Sequence, residues 1–216
     1  MRLTKRDIEI IEFIKEFRVA STSDIIELFN FNQPNCNRRM KMLMEEFREL
    51  KKIEYNPTYN FYNDKYKAGL KNQNVYYWNR KSKSIEHDLL INRFYIELLH
   101  QANENSFTIK EFKREHRITS DDFTVIADAY IQIEYSGCIS EYLLELENNK
   151  GFNYKKYYKL EVDNIKVPKV IVCTDRRVCN YCKELEIIKI RLNLSNMNKL
   201  INEILSLVQE YKYKVK

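Results

Sequence analysis

The chain has 216 residues, 44% of them hydrophobic, with 37 Lys/Arg against 31 Asp/Glu and a formal net charge of +6. That apolar share supports a packed core and excludes global disorder, and no apolar run approaches the length of a membrane span. The first residues, MRLTKRDIEII, do not read as a signal peptide, and five cysteines, an odd number, fit a reduced cytoplasmic protein.

The charge is unevenly placed. Residues 1–83 hold 17 Lys/Arg and 11 Asp/Glu, and residues 84–216 hold 20 of each. The whole excess therefore lies in the first part. The expectation is a basic module over 1–83 that meets a polyanion, joined to a neutral module over 84–216.

In the first module, Thr4-Lys-Arg-Asp7 has the form of a capped helix start. Ile8, Ile11, Phe13, Ile14 and Phe17 follow as its apolar stripe. Arg18-Val-Ala reads as a connector, and Ser21-Thr-Ser-Asp24 starts a second helix with Ile25, Ile26, Leu28 and Phe29 inside. After the turn at Pro34 a third helix runs from about Asn35 to Leu50, with Met40, Leu43, Met44 and Phe47 inward and Asn35, Asn37, Arg38, Arg39 and Lys41 near its start. Two strands, from Lys51 and from Asn74, flank a polar loop that carries Lys65, Lys67 and Lys71. Three helices and a two-stranded ribbon are the order of a winged helix-turn-helix. Cations suit phosphates, and amide and guanidinium groups suit base edges. The DNA-binding set is therefore Asn35, Asn37, Arg38, Arg39 and Lys41 on the helix, with Lys65, Lys67 and Lys71 on the wing. A plain protein–protein module is the alternative for such a fold.

The second module opens with a helix from Ser84 to His100. Strand-like runs follow at Phe107–Phe112, Phe123–Ile133 and Glu141–Glu147, then a Lys/Tyr-rich helix over Phe152–Leu160 and an apolar strand over Lys166–Cys173. A helix over 175–184, a strand from Glu186 and an amphipathic helix over Leu194–Tyr211 complete it. This alternation is an α/β sandwich around a central mixed sheet, not a bundle. The last helix, with Leu194, Met197, Leu200, Ile201, Ile204, Leu205 and Val208, either covers the sheet or pairs with a second copy in a homodimer.

Asp128 falls on one strand, and Glu145 and Glu147 share a face of the next by two-residue alternation. Three converging carboxylates are the hard oxygen ligands that Mg²⁺ or Mn²⁺ needs. Lys155 or Lys156, on the following helix, is within reach of such a site; the catalytic set is Asp128, Glu145, Glu147 and Lys155. The bland alternative is that the glutamates are sheet-surface residues paired with the nearby lysines.

These residues resemble the PD-(D/E)xK nuclease-like fold. The stretches LTKRDIEIIEFIKEFRVASTSDIIELF, NRRMKML, IEHDLLINRFYIELL, IADAYIQI, EYLLELENN, YKKYYKL and KVIVCTDRR, taken together, resemble the replication-relaxation family of plasmids and mobile elements. That resemblance implies an N-terminal winged helix on double-stranded DNA and a C-terminal domain built like a nuclease. Two positions depart from the nuclease pattern: Ala127 stands where relatives carry Pro, and Glu147 where they carry the catalytic Lys.

Cys173, Cys179 and Cys182 have a C-x5-C-x2-C spacing. Zinc would need a fourth ligand from Cys138, His100 or His116; buried free thiols are the better account. Tyr154, Tyr157 and Tyr158 alternate with lysines and are expected to cover a core edge with wet hydroxyls. The leading expectation is a cytoplasmic DNA-binding protein of a plasmid, phage or integrative element, acting in replication, its control or transfer alongside replication or transfer proteins. Its second domain is nuclease-like and non-catalytic, and no membrane is involved. The alternatives are a Mg²⁺-dependent endonuclease and a transcriptional regulator whose second domain senses a ligand or partner.

Overall fold

Thr4 and Asp7 open the first helix by satisfying each other's backbone. The Asp7 N–H donates to the Thr4 hydroxyl at 3.4 Å, and the Thr4 N–H donates to the Asp7 carboxylate at 2.6 Å. The computed structural model describes residues 2–55, 73–147, 155–163, 165–174, 178 and 185–214. Helix α1 (Lys5–Phe17) buries Ile10, Ile11, Phe13, Ile14 and Phe17. Ile8, expected on that stripe, is instead exposed.

Val19–Ser21 is a strand, β1, not the connector its sequence suggests. Three residues carry no legible period. Their partner, β3 (Gln73–Trp78), is far along the chain, pairing Val19 with Tyr77 and Ser21 with Val75. Helix α2 (Thr22–Phe29) repeats the reciprocal cap, now between Ser21 and Asp24, and ends at Asn30 in the left-handed region, φ 51°. Helix α3 (Gln33–Glu46) is capped by Asn32, whose side-chain oxygen accepts from the Asn35 N–H at 2.9 Å, with Pro34 in its first turn. It stops short of the expected Leu50 because Leu50 begins β2 (Leu50–Tyr55), antiparallel to β3. The expected ribbon is thus a three-stranded sheet in the order β1-β3-β2.

The chain forms two compact units, residues 1–96 and 97–216. Helix α4 (Ile85–Asn105) runs through the division, whereas the sequence placed a break at 83/84. Side chains of its first part belong to the first unit. Asn92 Nδ2 donates to the Val19 carbonyl at 2.7 Å, Arg93 donates to Glu27 at 2.6 Å, and Tyr95 lies against Phe17 with ring centres 4.8 Å apart.

The second unit holds β4 (Thr108–Thr119), β5 (Thr124–Tyr135), β6 (Cys138–Leu146), α5 (Lys155–Val162), β7 (Lys169–Cys173), β8 (Ile187–Ile190) and α6 (Asn198–Lys214). The sheet order is β4-β5-β6-β7-β8, antiparallel across the first three and parallel across the last three. β4 is twice the expected length. Its second half, Lys113 to Thr119, alternates between exposed and half-buried positions, and Ile118 is the one apolar residue in it, too little to set a strand period. The central β6 buries Tyr142 through Leu146 in succession, as a strand flanked by neighbours and covered on both faces must.

Helix α5 seats Tyr157 and Leu160 against Leu143, Val170 and Val172. Helix α6 packs on β5, β6 and β8 and buries Leu200, Ile201 and Ile204, so the first part of its apolar stripe covers the sheet; the Val208 side chain lies outside the described ones. The helix expected over 175–184 lies, apart from Val178, outside the described residues. Among the described residues the architecture is mixed α/β, with six helices and a five-stranded mixed sheet beside the three-stranded one. No described helix is long and apolar enough to cross a membrane.

Candidate functional site

Helix α3 has two distinct sides. Cys36, Met40 and Leu43 are buried, and burial pushes the Cys36 thiol up to about 11. Asn35, Asn37, Arg38 and Lys41 are exposed. Four of the five expected DNA-contacting side chains on this helix therefore face outward, carrying two cations and two amides.

Arg39 is different. Its guanidinium forms a two-pronged pair with the Asp7 carboxylate of α1, and Asp7 is 1% exposed. The Arg39 hydrogen bonds hold the Asp7 carboxyl down at about 2, against the burial that opposes them. Arg39 thus ties α3 to α1. Sequence reasoning had no means to separate it from Arg38, since its partner lies on another helix. Arg6 was not singled out in the sequence. Its guanidinium lies 5.0 Å over the ring of Phe31, immediately ahead of α3. Lys65, Lys67 and Lys71 lie outside the described residues.

The carboxylates meet where β5 and β6 part. Their last paired residues toward this end are Ala129 and Leu144. Beyond them the Asp128 side chain replaces the backbone partner, accepting from the Leu146 N–H at 2.7 Å. Glu147 follows the end of β6, and its N–H donates to the Cys173 carbonyl of β7 at 3.0 Å. Glu145 lies between, only 3% exposed.

Two groups from α5 reach Glu145 at the same oxygen. The Tyr157 hydroxyl donates to Oε1, and Lys156 Nζ stands 2.6 Å from it. Burial pushes the Glu145 carboxyl up to about 7, with Lys156 acting in the opposite sense and Asp128 in the same sense. Tyr157 is 0% exposed, contrary to the expected wet hydroxyl. Its pKa is raised by burial first and then by the charges of Glu145, Asp128 and Glu147, so all three carboxylates act on one phenol. Of the two lysines weighed for this site, Lys156 makes the contact with Glu145, while Lys155 is exposed on α5. Tyr157 and Lys156 were legible only as part of a Lys/Tyr-rich helix.

Among the described residues, no three His, Cys, Asp or Glu side chains are arranged to hold a metal ion. Asp128 Oδ2 and Glu145 Oε1 are already engaged, and the cation beside Glu145 is the Lys156 ammonium. The arrangement does not offer the ready three-carboxylate set that Mg²⁺ or Mn²⁺ was expected to use, and no chemical step follows through a metal here. Cys173 is fully buried, and burial raises its thiol; Cys179 and Cys182 lie outside the described residues.

A separate open cavity of about 440 Å³ lies by the first residues of β6 and β7, lined by Ser140, Glu141, Tyr142, Lys166, Lys169 and Glu186 among others. Its central cation, Lys169, is engaged by Glu186 at 2.7 Å and by Glu203.

No protein-family model matches the chain, and no curated protein matches it. Among solved structures, Can2 from Sulfobacillus thermosulfidooxidans in complex with cyclic tetra-adenylate is similar, with a TM-score of 0.40 and 13% identity over 86% of this chain. The chain spans 58% of the length of that protein.

Proposed function

We propose that the chain is a DNA-binding protein. In this account the first unit is a winged helix-turn-helix that lays α3 on duplex DNA, and the second is a nuclease-like domain that does not cleave. The observation that carries the reading is the division of α3: Arg38, Lys41, Asn35 and Asn37 outward, and Cys36, Met40 and Leu43 inward. Cations and amides on one exposed helix face supply phosphate and base-edge contacts. The order of helices and strands across 1–78 supports the winged-helix reading. For the second unit, support comes from the order α4-β4-β5-β6-α5-β7 around the mixed sheet, with the carboxylates at the end of β5 and β6. A setting in a plasmid, phage or integrative element, in replication, its control or transfer, is part of the proposal and is supported by the sequence resemblance to replication-relaxation proteins alone.

A gel shift with duplex DNA tests the first unit. Arg38→Ala with Lys41→Ala is expected to weaken binding and flatten its salt dependence by about two in slope; unchanged affinity and slope would remove the reading. Plasmid nicking in Mn²⁺ tests the second. Wild-type protein is expected to leave the plasmid intact. Metal-dependent nicking that disappears in Glu145→Ala would show an active endonuclease.

A further inference from the structure

Arg6 stands in the first turn of α1, where the free N–H groups make the helix end positive and a cation is unfavourable. Its neighbour Lys5 has an acid to meet, Glu9 at 3.6 Å. The acid next to Arg6 in the chain, Asp7, is taken by Arg39. Arg6 itself is exposed and forms no ion pair among the described residues. Its guanidinium is held all the same, 5.0 Å from the centre of the half-buried Phe31 ring. The ring fixes where the charge sits without neutralising it.

That place is beside the start of α3. Phe31 directly precedes Asn32, the cap of that helix. The Asp7–Arg39 pair turns one flank of α3 toward α1. Asn35 lies four residues before Arg39, one turn nearer the helix start and close to the same flank. At about 100° per residue, Asn35 falls between Arg39 on one side and Arg38 and Lys41 on the other. The exposed face of α3 is thus bordered by free cations along both sides: Arg38 and Lys41 on one, Arg6 of α1 on the other.

We propose that Arg6 contacts a backbone phosphate of duplex DNA at the α1 side of α3, and that Phe31 is the positioning residue that holds it there. A helix in the major groove has a phosphate-bearing strand along each side. Arg38 and Lys41 meet one strand, and Arg6 meets the other. The inference rests on the DNA-binding reading and deepens it: α1 supplies the second phosphate contact that fixes how α3 sits in the groove.

Fluorescence anisotropy on the full chain tests this with a labelled duplex of arbitrary sequence, since a phosphate contact carries no sequence information. Arg6→Gln is expected to lower the salt slope by about 0.9 and to weaken binding roughly tenfold at about 0.1 M salt. Its thermal midpoint is expected to hold or rise, because a cation leaves the positive end of α1. Phe31→Leu is expected to weaken binding by about 2- to 5-fold in the wild-type background and to have no further effect on binding in Arg6→Gln. Arg6→Gln that binds as wild type, while Arg38→Ala with Lys41→Ala is weakened, removes this contact and leaves the reading of α3 standing. A lower midpoint in Arg6→Gln with unchanged binding assigns Arg6 to the fold and overturns the proposal. Phe31→Leu and Arg6→Gln losses that simply add overturn the positioning role of Phe31. A wild-type chain that does not bind duplex removes the DNA-binding reading and this contact with it.

Discussion

Tyr157 donates its hydroxyl hydrogen to Oε1 of Glu145 in the interior of the second unit, and Lys156 approaches the same oxygen. A buried carboxylate is expensive unless its charge is matched and its lone pairs are used. Consecutive residues of one helix meet both needs here. Adjacent positions diverge by about 100° around a helix, so Lys156 reaches from the half-exposed flank while Tyr157 points into the core.

Tyr157→Phe removes one donor and leaves a buried acceptor short of a partner. The expected cost is about 1–3 kcal/mol, read as a drop in the thermal midpoint of about 2–4 °C per kcal/mol for a chain of this size. The Tyr157 hydrogen bond also favours the charged form of Glu145, so the carboxyl is expected to titrate higher still in the variant. A thermal midpoint equal to wild type across the pH range would show the contact to be dispensable.

Glu145 also sets a pH dependence. Its folded pKa is raised, to about 7 from 4.5. The folded protein therefore takes up a proton that the unfolded chain has lost between those values. By linkage, stability from this group falls as pH rises from about 4.5 to 7 and is level above. Glu145→Gln, which keeps an acceptor for Tyr157, is expected to be more stable than wild type at pH 8. The gap should close as pH falls below 5. Chemical denaturation at the two pH values checks this; a variant less stable at pH 8 would mean that the Lys156 pair outweighs burial.

The Asp7–Arg39 pair behaves in the opposite sense. The Asp7 carboxyl is held at about 2, below its ordinary 3.8. The stabilisation is therefore complete above about pH 4 and is lost as pH falls through about 2. The shift corresponds to about 2 kcal/mol. Asp7→Asn is expected to cost about that much at pH 7 and almost nothing at pH 2, measured by urea unfolding. An equal loss at both values would assign the effect to packing instead of charge.

Arg38 and Arg39 are expected to separate cleanly. Arg38→Ala should weaken duplex binding with little change in stability, since its side chain is exposed. Arg39→Ala should lower stability by leaving Asp7 buried and unpaired. Measuring melting and duplex affinity on both variants decides the matter; the reverse pattern would exchange their roles.

Asn92 donates to the Val19 carbonyl at 2.7 Å and to Asp24 at 3.4 Å, and burial pushes Asp24 up to about 6. Asn92→Ala is expected to cost about 1–3 kcal/mol by stranding a buried carbonyl. An unchanged unfolding midpoint would show that another group takes its place.

Local chemistry made much of the fold legible. The Thr4–Asp7 and Ser21–Asp24 caps, the stripe through Phe17, the Pro34 helix start and the apolar run into Cys173 act over a few residues, so spacing alone specifies them. Two-residue alternation likewise related Glu145 to Glu147, whereas Asp128 comes near them through the pairing of β5 with β6. Contacts between distant segments set the rest. Val19–Ser21 became a strand because β3 lay beside it. Arg39 became a strut because Asp7 was there to receive it. Lys156 reached Glu145, and Tyr157 went inside, because α5 met the sheet at one rotation. Side-chain direction on a helix depends on where the helix lands, and only packing across the sheet decides that.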